Sequence, residues 1–155
     1  MKIHFKPLSI SLLISLGVGA ASAFVTRNSM DIYKSIKLPP LSPPSITFPI
    51  VWTILFILMG IAAYLIYISN SKNKGSALKF YGIQLLLNFI WPIIFFNMRS
   101  YLFAFIWLIL LLLFILKTFT SFKAINKKAA YLLIPYILWI IFAGYLNIAI
   151  YFLNR

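Results

Sequence analysis

Five long apolar runs dominate the chain, and short polar clusters separate them. The runs cover residues 8–25, 48–69, 78–96, 101–119 and 129–153. A bilayer core about 30 Å thick requires about 20 apolar residues per helix. None of the runs alternates polar with apolar residues, as a strand of a membrane barrel does. The pattern predicts an all-α protein, with residues 1–155 forming a single bundle of five transmembrane helices.

The connections between the runs differ in length and composition. The first connection, residues 26–47, is long and contains four of the eight prolines in the chain, at positions 39, 40, 43 and 44. The others, residues 70–77, 97–100 and 120–128, are short. Short links place consecutive helices side by side and antiparallel. Proline fixes φ and excludes regular helix, so the first loop is either a stiff lid over the bundle or a rigid connector.

Composition agrees with a lipid environment. The chain is 63% hydrophobic and 10% charged, whereas a soluble domain is about 45–50% apolar and about 25% charged. Lysine and arginine total 14 against one acidic residue, Asp31. These basic residues lie between the apolar runs, where they anchor helix ends at lipid headgroups. Nucleic acid is therefore not an expected partner.

The scarcity of reactive side chains excludes several classes of chemistry. There is no cysteine, one histidine and one acidic residue. Disulfides, thiolate catalysis, a histidine and carboxylate metal cluster and a Ser-His-Asp triad are all excluded on this count. We expect no metal site, no cofactor and no acid–base catalytic residues.

The first apolar run has two interpretations. Basic residues, an apolar stretch and the small residues 21–23 are typical of a cleavable signal peptide. Ser15, Gly19 and Ala23, however, are spaced by four, a pattern that lets helices pack closely in lipid. We favour a retained first helix; cleavage would leave four helices.

Basic residues are unevenly divided between the two sides of the predicted bundle. The side of the N-terminus and of the second and fourth links carries nine: Lys2, Lys6, Lys72, Lys74, Lys79, Lys117, Lys123, Lys127 and Lys128. The other side carries five: Arg27, Lys34, Lys37, Arg99 and Arg155. Since basic residues favour the cytoplasmic side, the N-terminus is predicted in the cytoplasm, with the proline-rich loop outside.

Polar residues inside a membrane helix are costly unless they find partners. In the third run Gln84 and Asn88 share one helical face, which Trp91 and Phe95 continue. Pro92 removes a backbone donor and should kink the helix there. The two amides either hydrogen-bond to neighbouring helices or line a ligand cavity as its polar contacts.

The fifth run repeats this pattern. Tyr136, Trp139, Ala143 and Asn147 fall on one face, and Pro135 precedes them. The small Ala143 beside Trp139 leaves room either for a flat ligand or for another helix. Of the other tryptophans, Trp52 fits an interfacial belt and a cavity equally well. Trp107 has only apolar neighbours and is assigned to packing or to lipid.

These motifs together resemble the TspO/MBR family of translocator and tryptophan-rich sensory proteins. The similarity runs from about residue 37 to residue 154, in the family's order and spacing. The residues that carry it are Pro43, Pro44, Phe48, Val51, Trp52, Met59, Gly60, Gln84, Leu85, Leu87, Asn88, Trp91, Phe95, Phe96, Pro135, Tyr136, Trp139, Ala143, Leu146 and Asn147.

The resemblance implies a five-helix bundle, often dimeric, that binds porphyrins, sterols or benzodiazepine-type ligands below the first loop. It also implies that Trp52 and Trp139 face the ligand and take part in any light-dependent porphyrin breakdown. With the polar faces above, the predicted ligand-binding set is Phe48, Trp52, Phe56, Gln84, Asn88, Trp91, Phe95, Trp139, Ala143 and Asn147. The family usually has Trp two residues before the Pro-Pro pair. Here that residue is Leu41, so we expect weaker porphyrin affinity or breakdown.

Three functions follow as hypotheses. The first is a receptor or transporter-like protein for porphyrins or sterol-like molecules, with a role in tetrapyrrole transport or stress sensing. The second is a light-dependent porphyrin-degrading enzyme. The third is a structural membrane protein whose polar residues only join helices. We expect a homodimer, in contact with membrane lipid, and the residue bias favours a bacterial cytoplasmic membrane.

Overall fold

The computed structural model describes residues 2–29 and 31–155, and the chain there is helical almost throughout. Its elements are α1 (Phe5–Thr26), α2 (Ile32–Ser35), α3 (Thr47–Tyr67), α4 (Lys74–Pro92), a π-helical turn (Ile93–Asn97), α5 (Tyr101–Ile125), α6 (Lys127–Tyr131) and α7 (Ile134–Asn154). Five segments are long and apolar enough to cross a membrane: Phe5–Thr26, Thr47–Tyr67, Lys74–Asn97, Tyr101–Ile125 and Lys127–Asn154. The all-α prediction of five transmembrane helices is confirmed.

The helices begin and end close to the predicted bounds, with one clear error. The predicted fourth link, residues 120–128, is wrong because α5 continues to Ile125. Only Asn126 then separates it from α6, and the Asn126 side chain caps α6 by accepting hydrogen bonds from the backbone N–H groups of Lys128 and Ala129. An asparagine N-cap satisfies donors that a helix start leaves free, so a single residue is sufficient to turn the chain.

Proline changes the helices at both predicted places. Directly after Pro92 the chain winds as a π-helix, in which the backbone N–H of Met98 donates to the carbonyl of Ile93 at 3.0 Å. In the fifth span, α6 ends at Tyr131 and α7 begins at Ile134, with Pro135 in its first turn. Proline is tolerated in the first turn because its missing N–H has no helical partner there.

Small residues bring α1 and α3 into close contact. A Cβ atom added at Gly19 would lie 2.7 Å from the Phe56 ring, and one at Gly60 would lie 2.8 Å from Oγ of Ser15. The Ser15 hydroxyl donates to the carbonyl of Phe56 at 2.7 Å. The close packing predicted from the spacing of Ser15 and Gly19 is confirmed. Residues 5–26 are therefore an integral wall of this bundle, and cleavage after Ala23 would remove that wall.

The five spans form a ring with one loosely joined seam. Going round it, α3 packs against α1, α1 against α4, α4 against α5, and α5 against α7. The ring closes between α7 and α3, whose backbones lie further apart than those of the other neighbouring helices. At the end of the bundle that contains the N-terminus and nine of the basic residues, α6 packs against α3 and covers this seam. An internal space consequently remains between α3 and α7 towards the proline-rich loop.

The proline-rich loop lies over this space and is tied to the bundle. The Tyr145 hydroxyl of α7 donates to the carbonyl of Pro40 at 2.7 Å. Asn154 exchanges two hydrogen bonds with the backbone of Lys37, both 2.9 Å long. At the tip of the loop, Leu41 adopts a φ of 71°, which is unfavourable for any residue with a Cβ atom. These contacts fix the loop to the bundle, and its Tyr33 lines the internal space, so the lid interpretation is favoured over the rigid connector.

Candidate functional site

A cavity of about 530 Å³ lies inside the bundle below the proline-rich loop. This volume is within the range of small-molecule sites, about 300–1,000 Å³. Nine of the ten residues predicted to bind ligand line it: Phe48, Trp52, Phe56, Asn88, Trp91, Phe95, Trp139, Ala143 and Asn147. The tenth, Gln84, lies outside the lining. None of the described residues that line the cavity is charged.

One wall of the cavity is a set of aromatic rings on α3 and α7. Phe48 meets Trp139 edge to face, with ring centroids 5.9 Å apart. One turn further along α3, Trp52 lies 5.6 Å from Phe56 and 6.2 Å from Tyr136. The sequence left open whether Trp52 belongs to an interfacial belt or to a cavity, and the structure places it in the cavity wall.

A further part of the wall comes from the end of α4 and its π-helical turn. Trp91 stacks in a tilted arrangement on Phe95 at 5.2 Å, and Phe95 lies 4.8 Å from Phe96. Both phenylalanines line the cavity although they are adjacent in sequence. Pro92 lies directly before this turn, and π-helical turns often occur at functional sites. Proline therefore does more here than kink the helix.

Gln84 and Asn88 are joined to α7 through one hydroxyl group. The amide nitrogen of Asn88 donates to the Tyr136 hydroxyl at 2.7 Å, and that hydroxyl donates to Oε1 of Gln84 at 2.6 Å. Gln84 and Tyr136 are each 1% exposed. The helix-joining interpretation thus describes Gln84, whereas Asn88 also reaches the cavity and has its carbonyl oxygen to offer a ligand.

Asn147 fixes a tryptophan. Its Oδ1 accepts a hydrogen bond from Nε1 of Trp91 at 3.0 Å, and its Nδ2 donates to the carbonyl of Tyr101 at 2.8 Å. Both halves of the amide are therefore occupied within the bundle. Asn147 lines the cavity, but its polar atoms serve to hold the Trp91 ring in place.

Trp107, which lies outside the lining, is also held by a hydrogen bond, since its Nε1 donates to the carbonyl of Leu87 at 2.9 Å. The sequence assigned Trp107 to packing or to lipid and did not predict this bond.

Tyr33 of α2 supplies the aromatic contact of the lid. Its ring lies 5.1 Å from Phe48, and its hydroxyl donates to the carbonyl of Pro43 at 2.6 Å. Burial raises the pKa of Tyr33, and a hydrogen bond with Ser42 lowers it in part.

Leu41, at the position of the family's loop tryptophan, is 81% exposed and outside the lining. The effect of Leu41 on affinity stays a prediction.

The prediction missed the contribution of α1. Six residues of this helix line the cavity: Leu16, Gly19, Ala20, Ser22, Ala23 and Thr26. The spacing of small residues was interpreted as helix packing alone, but the same small side chains leave room for the cavity. Tyr33 was missed as well, and its only sequence signal was an aromatic residue within a polar loop.

One buried donor in the cavity wall has no partner. Nε1 of Trp139 is buried and makes no hydrogen bond within the described residues. A buried polar group without a partner costs about 1–3 kcal/mol. The indole N–H of Trp139 is therefore available to an acceptor on a ligand, after a small movement of the ring.

A five-helix transmembrane bundle with an aromatic, uncharged cavity defines an integral membrane protein with an internal cavity. The comparisons identify its family. The sequence profile of the TspO/MBR family matches residues 10–153, so the chain belongs to that family, and the resemblance inferred from the motifs is confirmed.

Similar proteins occur in all three domains of life. The chain is 39% identical to "Tryptophan-rich protein TspO" of Chlorobaculum tepidum, over 95% of this chain and 94% of that protein. It is 35% identical to the protein of the same name from Archaeoglobus fulgidus, over 95% and 96% of the two chains. It is 32% identical to "Translocator protein" of Bos taurus, over 90% of this chain and 85% of the bovine protein.

Proposed function

We propose that the protein is a membrane receptor or carrier that binds a flat, mainly apolar molecule, such as a porphyrin, in the cavity below the lid. The observation that carries this proposal is the set of rings that line one cavity from several helices: Trp52 on α3, Trp139 on α7, and Trp91 and Phe95 on α4 and its π-helical turn. Aromatic side chains bind flat ring systems by stacking and edge contacts. The names of the relatives, tryptophan-rich and translocator protein, agree with a role of this kind.

The few polar groups define what a ligand should carry. The Asn88 carbonyl oxygen is an acceptor, and Nε1 of Trp139 is a donor without a partner. Because no charged side chain lines the described cavity, a buried ligand charge would have no partner there, at high cost. We infer a ligand whose charged groups, if it has any, stay near the lid and the headgroups. Sterol-like molecules meet the same requirement, but their fused rings are not aromatic and cannot stack on the side chains as a porphyrin does.

Protoporphyrin titration of the purified protein tests the proposal, with matched tryptophan variants. Trp52 lines the cavity and Trp107 does not. Stacking on one aromatic side chain is worth about 1–3 kcal/mol, so Trp52→Leu should raise the Kd at least about fivefold. Trp107→Leu should leave the Kd unchanged, when the Kd is measured on the folded fraction of that variant. Equal Kd values for both variants, or no saturable binding to the parent protein, would contradict the proposal.

Light-dependent porphyrin breakdown is a second candidate, favoured by the presence of two indoles, Trp52 and Trp139, in one wall. Such photochemistry needs no acid–base pair. The test compares porphyrin loss and product formation under illumination in the parent and in Trp52→Phe/Trp139→Phe, both saturated with porphyrin. Identical rates of loss would exclude a role for these indoles.

We also propose a bacterial cytoplasmic membrane as the location, with a cytoplasmic N-terminus and the lid outside, and a homodimer as the working state. The absence of native cysteine makes the orientation simple to test. Ser45→Cys in the loop should react with an impermeant maleimide on intact cells, and Asn73→Cys in the second link should react only after lysis. The reverse pattern would invert the topology.

A further inference from the structure

A second, outward-facing depression follows the seam between α3 and α7. It is a groove of about 500 Å³, open to the side of the bundle. Val51, Ile54 and Leu55 line it from α3, and Leu138, Trp139 and Phe142 line it from α7. Ile54 and Leu138 are 52% and 61% exposed. Since both helices cross the membrane, this groove faces acyl chains and not water.

Trp139 belongs to both the groove and the internal cavity. Across this seam the rings of α3 and α7 meet only edge to face, Phe48 on Trp139 and Trp52 on Tyr136. The side chain of Trp139 thus stands between the lipid-facing groove and the cavity.

The hydrogen bonding of Trp139 is unlike that of Trp91, the cavity tryptophan on α4. Nε1 of Trp91 is bonded to Asn147, whereas Nε1 of Trp139 is buried without a partner. No hydrogen bond joins α3 to α7 among the described residues. A ring whose polar atom is unsatisfied loses no hydrogen bond when it moves, so Trp139 can swing at a lower cost than Trp91.

The water-facing end of the cavity is closed more firmly. Hydrogen bonds from Tyr145 to Pro40 and between Asn154 and Lys37 join the loop to α7. Within the loop, Tyr33 is bonded to Pro43. Opening this end requires breaking these four hydrogen bonds, each worth about 0.5–1.5 kcal/mol. Opening the seam requires displacing the two aromatic contacts of one side chain, Trp139 with Phe48 and with Phe142, each of similar worth.

We propose that the groove between α3 and α7 is the route by which a flat apolar ligand passes between the bilayer and the cavity, and that Trp139 is its gate. The ligand first lies in the groove against Leu138 and Ile54. Rotation of the Trp139 ring then connects the groove to the cavity. The proposal rests on the proposed function, since it concerns how the ligand of that cavity arrives.

Blocking the groove without altering the cavity tests this route, and the absence of native cysteine provides a matched pair of single-cysteine variants. Leu138 lines the groove but not the cavity. Leu86 on α4 lines neither and is similarly exposed, at 59% against 61% for Leu138. Each variant, Leu138→Cys and Leu86→Cys, is reconstituted into phosphatidylcholine vesicles before and after reaction with a bulky aromatic maleimide.

Protoporphyrin is the probe, with association followed by stopped-flow tryptophan quenching and dissociation by dilution into empty vesicles. Labelled Leu138→Cys should bind and release protoporphyrin at least about tenfold more slowly than its unlabelled form, with Kd unchanged within about twofold. Labelled Leu86→Cys should show no change in either rate. Blocking a route, unlike damaging a site, slows both directions equally.

Two outcomes would overturn the route. The first is labelled Leu138→Cys exchanging protoporphyrin as fast as labelled Leu86→Cys. The second is a slower association accompanied by an equally raised Kd, which would mean that the label damages the cavity. A complete lack of saturable binding in all unlabelled forms would instead refute the proposed function, and the route with it.

Discussion

Helix α3 meets its two neighbours in the ring in opposite ways. Towards α1, glycine and serine allow the backbones to approach, and the hydroxyls of Ser11 and Ser15 donate to the carbonyls of Gly60 and Phe56 at 2.6 and 2.7 Å. Towards α7, large aromatic rings keep the backbones apart, and no hydrogen bond crosses among the described residues. One seam is a tight joint and the other is the wall of a cavity.

This difference shows how a small membrane protein combines stability with an internal space. In lipid there is little hydrophobic force between helices, so close van der Waals packing and hydrogen bonds hold them together. The α1–α3 seam has close packing and hydrogen bonds. The α3–α7 seam has neither close backbone packing nor hydrogen bonds among the described residues. Helix α7 is held instead from its other side, by α5 and by the hydrogen bonds from α4 to Tyr136 and Asn147.

The largest expected effect comes from breaking the tight joint. Gly60→Leu places a side chain where even Cβ would lie 2.9 Å from Leu12 Cδ2 and 3.1 Å from its Cα. Overpacking costs about 1–3 kcal/mol and occasionally more, so the melting temperature in detergent should fall sharply. Gly82→Leu, where a Cβ would meet nothing within 4 Å, should leave it equal or higher. Similar losses for both would show that the α1–α3 joint is not special.

The next effect tests whether α4 holds α7. Tyr136→Phe removes the hydroxyl shared by Asn88 and Gln84 and leaves two buried polar groups without this partner. Each such group costs about 1–3 kcal/mol, so we expect about 2 kcal/mol lower stability, measured by thermal unfolding. Tyr131→Phe, at a position 50% exposed, is the control and should change stability by less than about 0.5 kcal/mol. An unaffected Tyr136→Phe would mean that α7 is held elsewhere.

A smaller effect is expected at the lid. Tyr33→Phe keeps the ring on Phe48 but removes the hydrogen bond to Pro43, which is worth about 0.5–1.5 kcal/mol. Loosening a closed end should change protoporphyrin release by no more than about twofold if exchange uses the α3–α7 groove. An acceleration of about tenfold, measured by dilution into empty vesicles, would show that ligand leaves past the lid.

The pH dependence of the same contact has a fixed sign. Burial raises the pKa of Tyr33 above its ordinary value of 10.0. The neutral form is thus favoured in the folded lid, and its contribution is complete below pH 10 and lost as the pH rises through the raised pKa. The difference in melting temperature between the parent protein and Tyr33→Phe should therefore be constant from pH 7 to about pH 9. A difference that grows over that interval would contradict the raised pKa.

The smallest expected effect is at Leu41. Its side chain is 81% exposed and does not line the cavity. In this geometry Leu41→Trp should change the Kd for protoporphyrin by less than about twofold, a smaller effect than the family resemblance implies. Leu41→Gly serves as the backbone control, because glycine accepts a φ of 71° without strain. A large gain in affinity for Leu41→Trp alone would show that the loop rearranges around a ligand.

Much of this protein could be predicted from the sequence. Run length and composition were sufficient for five transmembrane helices, because a bilayer fixes how many apolar residues a span requires. Phe48, Trp52 and Phe56 of the cavity lining were expected from the family resemblance. The spacing of Ser15 and Gly19 predicted a close helix contact, and the polar faces of the third and fifth runs predicted six further lining residues: Asn88, Trp91, Phe95, Trp139, Ala143 and Asn147. The spacing and the faces are local and periodic signals, so one chain is enough to detect them.

Only the tertiary structure decided which partners the polar atoms choose and which seam stays loose. Gln84 and Asn88 have the same side-chain chemistry one turn apart and share the Tyr136 hydroxyl, yet Gln84 lies outside the cavity lining while Asn88 reaches it. Likewise, Trp91 and Trp139 are both mid-span tryptophans, but only Trp91 has Asn147 within reach. Hydrogen bonds in a bundle join residues far apart in sequence, so their pairing depends on how the helices are arranged around the ring.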